Sequence, residues 1–252
     1  MRNGDWNAGP RRRSHPWSRE PISRRSGGAE VAPPPATSQA DILAAAWRVI
    51  EAQGWESLTI RGLARELGIG AATIYHHVRD REDLLVRLIS EYAAEIPRPE
   101  LPSEPRETIC VAAVALHEAL RELPWAAEVL TVDGFVGRLS DDALWFVEAM
   151  LDGARRGGCS REEAVALFRN IWYFTIGELL VHYRSSDTSE TTVDRSKLID
   201  ETVAPFEGRN AEKVPELASI GRDWPALAAQ DTFSGGVRAL IQVALGEASR
   251  RS

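Results

Sequence analysis

Between Thr59 and Arg81 the chain gathers side chains suited to holding nucleic acid. Arg61, Arg65, Arg79 and Arg81 stand against only Glu66 and Asp80, a local charge of +2. That suffices for a few phosphate contacts, which weaken as salt rises. Thr73 can offer a hydroxyl to a base or phosphate, or its methyl to thymine. Tyr75 adds a phenol, and His76 and His77 add two imidazoles. Adjacent residues on a helix point in different directions, so His76 and His77 cannot face one metal ion. A catalytic constellation is missing: the chain has no G-x-S-x-G, P-loop, H-E-x-x-H or strand-linked G-x-G-x-x-G. No cofactor or metal is implied.

Those residues need short helices to position them. Ser38-x-x-Asp41 reads as a capping box with Asp in place of Glu, followed by Ile42, Ala46, Val49 and Ile50 on one helical stripe. Gly54 supplies the stop. Thr59 caps a second helix that buries Ile60, Leu63, Ala64 and Leu67 and ends at Gly68. A third runs from about Gly70 to His77. Asp80 caps a longer helix whose apolar face is Leu84, Leu85, Leu88, Ile89 and Tyr92. Two short helices joined by a tight glycine turn, after a supporting helix, make a helix-turn-helix. Its second helix presents N-terminal side chains to base edges in the major groove. A buried Tyr75 and solvated arginines would be the bland alternative.

The string Leu58-Thr59-Ile60-Arg61-Gly62-Leu63-Ala64-Arg65-Glu66-Leu67-Gly68-Ile69, then Thr73-Ile74-Tyr75-His76-His77-Val78-Arg79-Asp80-Arg81-Glu82-Asp83-Leu84-Leu85, is denser than that bare pattern. Over residues 38–92 it resembles the DNA-binding domain of the tetracycline-repressor (TetR) family. Pro215-Glu216-Leu217-Ala218 and Asp231-x-Phe233-x-x-Gly236 resemble, more weakly, the approach to that family's last helix. The resemblance implies that Arg61 reaches guanine, Tyr75 and His77 touch the backbone, His76 sits at a variable reader position and Arg81 clamps a phosphate. Ala71 and Ala72 stand where relatives often carry polar readers. Specificity then rests on Arg61, Thr73, Tyr75 and His76, helped by DNA shape, with Thr59 and Ala71 also at the DNA.

Beyond residue 105 the pattern is helical, with segments near 106–121, 124–132, 141–156, 161–184 and 232–248 and a polar stretch from Ser185 to about Asn210. No alternating strand pattern appears, so the expected fold is all-α. The 161–184 segment is apolar almost all round and must be covered on both faces. One face can meet its own unit and the other a second chain, with the 232–248 helix beside it. The resemblance implies a homodimer built on these two helices. Trp125, Phe135, Trp145, Phe146, Met150, Phe168 and Trp172 could line an apolar pocket oriented by His117, Glu178 and His182. The same residues could equally be core, with Glu178 and His182 an ordinary i,i+4 pair.

Composition bounds the rest. The 252 residues are 44% hydrophobic and 27% charged, with a net charge of −7, a globular profile. The charge is divided: +4 over residues 1–36, −2 over 37–92 and −9 over 93–252. The Arg/Pro-rich segment 1–36 reads as a disordered arm, inert or adding phosphate contacts. It lacks the apolar stretch of a secretory signal. Two distant cysteines, Cys110 and Cys159, argue against a disulfide framework or zinc ribbon and fit a cytoplasmic setting. No apolar run reaches 18 residues without a charge, which argues against a membrane span.

The expected organisation is therefore an arm over 1–36, a DNA-binding domain over 37–83 and a ligand-binding and dimerisation domain over 84–252. The expected function is a regulator, most simply a repressor, released from a pseudo-palindromic DNA operator by a small lipophilic or aromatic molecule. A DNA-binding dimer that senses nothing, or an all-α enzyme, remains open.

Overall fold

The computed structural model describes residues 37–131, 134–187 and 211–251. The 1–36 arm and most of the polar 185–210 stretch lie outside the described residues. The chain divides into two compact units, one ending at Leu88 and one starting at Ile89.

In the first unit α1 spans Gln39–Gln53, α2 Ile60–Leu67, α3 Ala71–Tyr75, and α4 starts at Arg81. The start of α1 is the capping box read from sequence. Asp41 N donates to Ser38 Oγ at 3.2 Å, and Ser38 N donates to Asp41 Oδ2 at 2.9 Å. Bonds from the Ser38 hydroxyl and backbone N–H hold the Asp41 carboxyl below its ordinary range. Thr59 Oγ1 accepts from Gly62 N at 3.0 Å and opens α2. Gly68 closes it with φ +67°. Ile69 N reaches Ala64 O and Gly68 N reaches Arg65 O, a left-handed termination that glycine adopts without steric cost. The core here is Ile42, Leu43, Trp47, Leu58, Leu63, Ile74, Leu84, Leu85 and Leu88, all under 5% exposed.

Helix α4 runs Arg81–Glu95, so its residues from Ile89 onward belong to the second unit. There α5 spans Pro105–Glu122, α6 Pro124–Val129, α7 Asp141–Arg156, α8 Arg161–Asp187, α9 Pro215–Ile220, α10 Trp224–Ala228 and α11 Phe233–Arg251. No strand occurs among the described residues. The fold is all-α, as expected. Helix α5 packs on α7, and α8 and α11 pack on each other and on α5. A Cβ on Gly236 would lie 2.5 Å from Phe174 Cζ, so glycine permits the close approach of α11 to α8.

Over Arg161–His182, α8 is long and apolar enough to cross a membrane by length and composition. Its Leu167, Phe168, Ile171, Trp172, Ile176 and Leu179 are instead buried in this unit, the place of a core helix. The side chain of Tyr183 lies outside the described residues.

Candidate DNA-reading surface and apolar cavity

Helix α3 is oriented by what it buries. Ile74 is fully buried and Val78 nearly so, which turns the opposite side of the helix outward. Ala72, Tyr75 and His76 are exposed there, with Ala71, Thr73 and His77 half-buried beside them. Tyr75 is 55% exposed, so its ring is not core. The helix is shorter than the sequence suggested. It ends at Tyr75, and His76 and His77 form a closing turn in which His77 N bonds Ile74 O at 2.9 Å.

On α2, Arg61 is exposed, and so is Arg65 one turn later. Arg65, which the sequence offered only as part of the local positive charge, shares the exposed side of α2 with Arg61 at i+4 spacing. Among the described residues neither makes an ion pair, whereas Glu66 is drawn to Arg48 at 3.6 Å. Thr59 is exposed, and its hydroxyl oxygen already caps α2.

Arg81, expected to clamp a phosphate, also has a structural role within this unit. Its Nε donates to Leu58 O and its Nη2 to Trp55 O, each at 2.7 Å, and its guanidinium lies 5.0 Å over the Trp55 ring. Two of its donors therefore tie the start of α4 to the chain before α2. Asp83 is a second tie. Buried to 5% exposure, it accepts from Arg79 N at 3.0 Å and Arg87 Nε at 3.1 Å, while its own N–H reaches Asp80 Oδ1 at 2.6 Å. Burial alone would raise its carboxyl, but the Arg79 backbone bond and the Arg87 guanidinium outweigh it and hold the group below the ordinary 3.8. Together these ties fasten the start of α4 to the chain on either side of the helix-turn-helix.

The second unit holds an apolar cavity of about 40 Å³. Its wall comes from α4 (Ile89, Tyr92, Ala93) and Ile96 just beyond it, the end of α5 (Leu116, Ala119, Leu120), Leu123, Ala126 of α6, Leu130, Leu139, and the 3₁₀ turn Phe135–Arg138 through Phe135. Ala143, Phe146 and Val147 of α7 and Phe168 and Trp172 of α8 complete it. Phe135 and Trp172 meet in a tilted contact at 4.8 Å.

Of the expected ligand residues, Phe135, Phe146, Phe168 and Trp172 line this cavity, and His117, Trp125, Trp145, Met150, Glu178 and His182 do not. Met150 is core at 2% exposure. Trp145 stands edge-on to Phe146 at 5.1 Å, under the Arg98 guanidinium. His117 Nε2 lies 2.5 Å from Glu178 Oε2, and Glu178 Oε1 lies 3.0 Å from His182 Nδ1. The His117 ring stacks on Phe233 at 3.8 Å. These polar groups bind α5, α8 and α11 together. Cys110 and Cys159 are both buried, and burial pushes the Cys110 thiol up, away from nucleophilic form.

A helix-turn-helix with an exposed reading helix and, in the second unit, a helical bundle holding an apolar cavity are the parts of a DNA-binding transcriptional regulator. Residues 42–88 match the family model of the bacterial regulatory proteins of the tetR family. It is 27% identical over 206 residues to an HTH-type transcriptional regulator of Saccharopolyspora erythraea, covering 80% of this chain and 78% of the relative. Its fold resembles apo ActR of Streptomyces coelicolor, with a TM-score of 0.65, 22% identity and coverage of 86% and 99%. Against ActR in complex with actinorhodin the TM-score is 0.69, again at 22% identity, with coverage of 88% and 100%.

Proposed function

We propose that the protein is a homodimeric repressor that leaves a pseudo-palindromic operator when a small molecule enters the cavity. The observation that carries this reading is the position of α4. Its Asp83, Leu84, Leu85 and Leu88 are buried parts of the first unit, and its Ile89, Tyr92 and Ala93 form cavity wall. A ligand that widens the cavity moves a helix whose first two turns anchor the helix-turn-helix. Two reading helices must sit about 34–36 Å apart to enter successive major grooves. A ligand that binds better to any other spacing draws the population away from DNA. The ActR–actinorhodin complex supports ligand response as a property that this fold accommodates.

Dimerisation is supported by apolar residues left outside. Val165, Tyr173 and Val181 of α8 and Val243 of α11 are 48–66% exposed. Such residues on two packed helices suit a two-fold interface.

Gel-shift titration with a duplex selected by the protein from a random pool tests the DNA reading. Arg61→Ala and Tyr75→Ala should each weaken binding with unchanged helix content. Arg61→Ala should lose about 1–3 kcal/mol of base preference at one position if it forks onto guanine. Wild-type affinity in both variants would remove these residues from the interface. A protein that no small molecule releases would be the non-sensing dimer.

A further inference from the structure

From the cavity wall we infer that the molecule sensed is uncharged and mostly hydrocarbon, and that this chain discriminates against organic anions. The inference rests on the ligand-responsive reading above. Of the seventeen wall residues only Tyr92 and Trp172 have a polar side-chain atom, and neither side chain is charged at neutral pH. The ionisable groups nearby are engaged with one another. His117 and Glu178 form their own pair at 2.5 Å, and Glu178 also holds His182. Arg98 pairs with Asp142 and covers Trp145. Arg138 shares a 3₁₀ turn with Phe135, yet it is not part of the wall.

A carboxylate or sulfonate entering this cavity would lose its water shell with no cation to receive it. An alcohol or hydrocarbon loses little and gains apolar burial. The aromatic rings of Phe135, Phe146, Phe168 and Trp172 in the wall suit either a flat ring or an unbranched chain. The cavity is smaller than the roughly 150 Å³ that admits benzene. A ligand therefore has to spread the wall, and a slender one spreads it least.

A matched pair isolates charge from shape: 1-decanol and decanoate at pH 7.5, titrated into the full chain by calorimetry, with tryptophan emission as a second readout. Decanol should bind and decanoate should bind at least roughly a hundredfold more weakly. Ala143→Leu and Ala93→Leu fill the cavity from α7 and α4, and each should abolish decanol binding. Thermal melting identifies either variant that fails to fold, leaving the other to decide. Decanoate binding as tightly as decanol, with both lost in the filled variants, would overturn the class of ligand and leave sensing intact. Decanol binding unchanged in a folded filled variant would place the ligand elsewhere and overturn the assignment. If neither compound binds, the cavity is closed core and the inference fails, while operator binding is judged separately by gel shift.

Discussion

The imidazole of His117 on α5 and the carboxylate of Glu178 on α8, 61 residues apart in sequence, face each other at 2.5 Å. His117 is 6% exposed and stacked on Phe233, the first residue of α11. The pair therefore joins three helices at a point where a lone polar group would be costly.

Replacing Glu178 with alanine should destabilise the second unit by about 1–3 kcal/mol, because a buried imidazole nitrogen is left without its partner. The cavity wall is untouched by this change, so decanol affinity should stay within about twofold, well inside the 1.4 kcal/mol that a tenfold change requires. Melting and calorimetry on the same sample check both statements. A stable variant that lost the ligand would return Glu178 to the role expected from sequence.

Arg81 separates positioning from charge. Lysine keeps the cation but cannot reach Leu58 O and Trp55 O together as the guanidinium does. Arg81→Lys should therefore lower the stability of the DNA-binding unit by about 1–3 kcal/mol through the two lost carbonyl bonds. Were Arg81 chiefly a phosphate contact, the lysine variant would melt like wild type. Thermal denaturation decides.

Asp83 sets an acid limit. Its folded carboxyl titrates below the ordinary 3.8 because the Arg79 backbone bond and the Arg87 guanidinium overcome the effect of burial. A group depressed in the folded state stabilises fully above its unfolded pKa, and that stability disappears as pH falls through the folded value. Loss should begin near pH 4 and continue below it. Asp83→Asn should cost about 1.5–3 kcal/mol at neutral pH and show a shallower acid decline. An identical decline in both proteins would mean that other carboxylates govern acid unfolding.

What could be read from sequence was mostly local. Ser38, Thr59, Gly68 and Asp80 mark helix ends through bonds no more than five residues long, and such bonds leave a signature in adjacent letters. The outward face of α3 followed from the need to bury Ile74 and Val78. Long-range partners left no such mark. The acceptors of Arg81 lie 23 and 26 residues upstream, and both are backbone carbonyls that any residue type supplies. Trp145 and Phe146 are neighbours in sequence, yet the helix turns only Phe146 into the cavity. His117 and Glu178 looked like ligand handles because an unpaired polar group on an apolar helix invites that reading. Their mutual pairing depends on how α5 crosses α8.

The last expectation concerns assembly. Val181 on α8 and Val243 on α11 are 66% and 61% exposed within the chain, so aspartate at either site should leave the folded subunit intact. In a two-fold dimer each substitution occurs twice, and a buried carboxylate without a partner is strongly unfavourable. Val181→Asp or Val243→Asp should therefore raise the dimer dissociation constant by about a hundredfold or more, corresponding to roughly 3 kcal/mol. Sedimentation at micromolar concentration should show dimer for wild type and monomer for the variants, with matching helix content. DNA affinity should fall with the dimer, because one reading helix alone contacts half of a two-fold site. A wild-type chain that stays monomeric at high concentration would leave those valines to another partner. Val243→Asp that remains dimeric while Val181→Asp does not would confine the interface to α8.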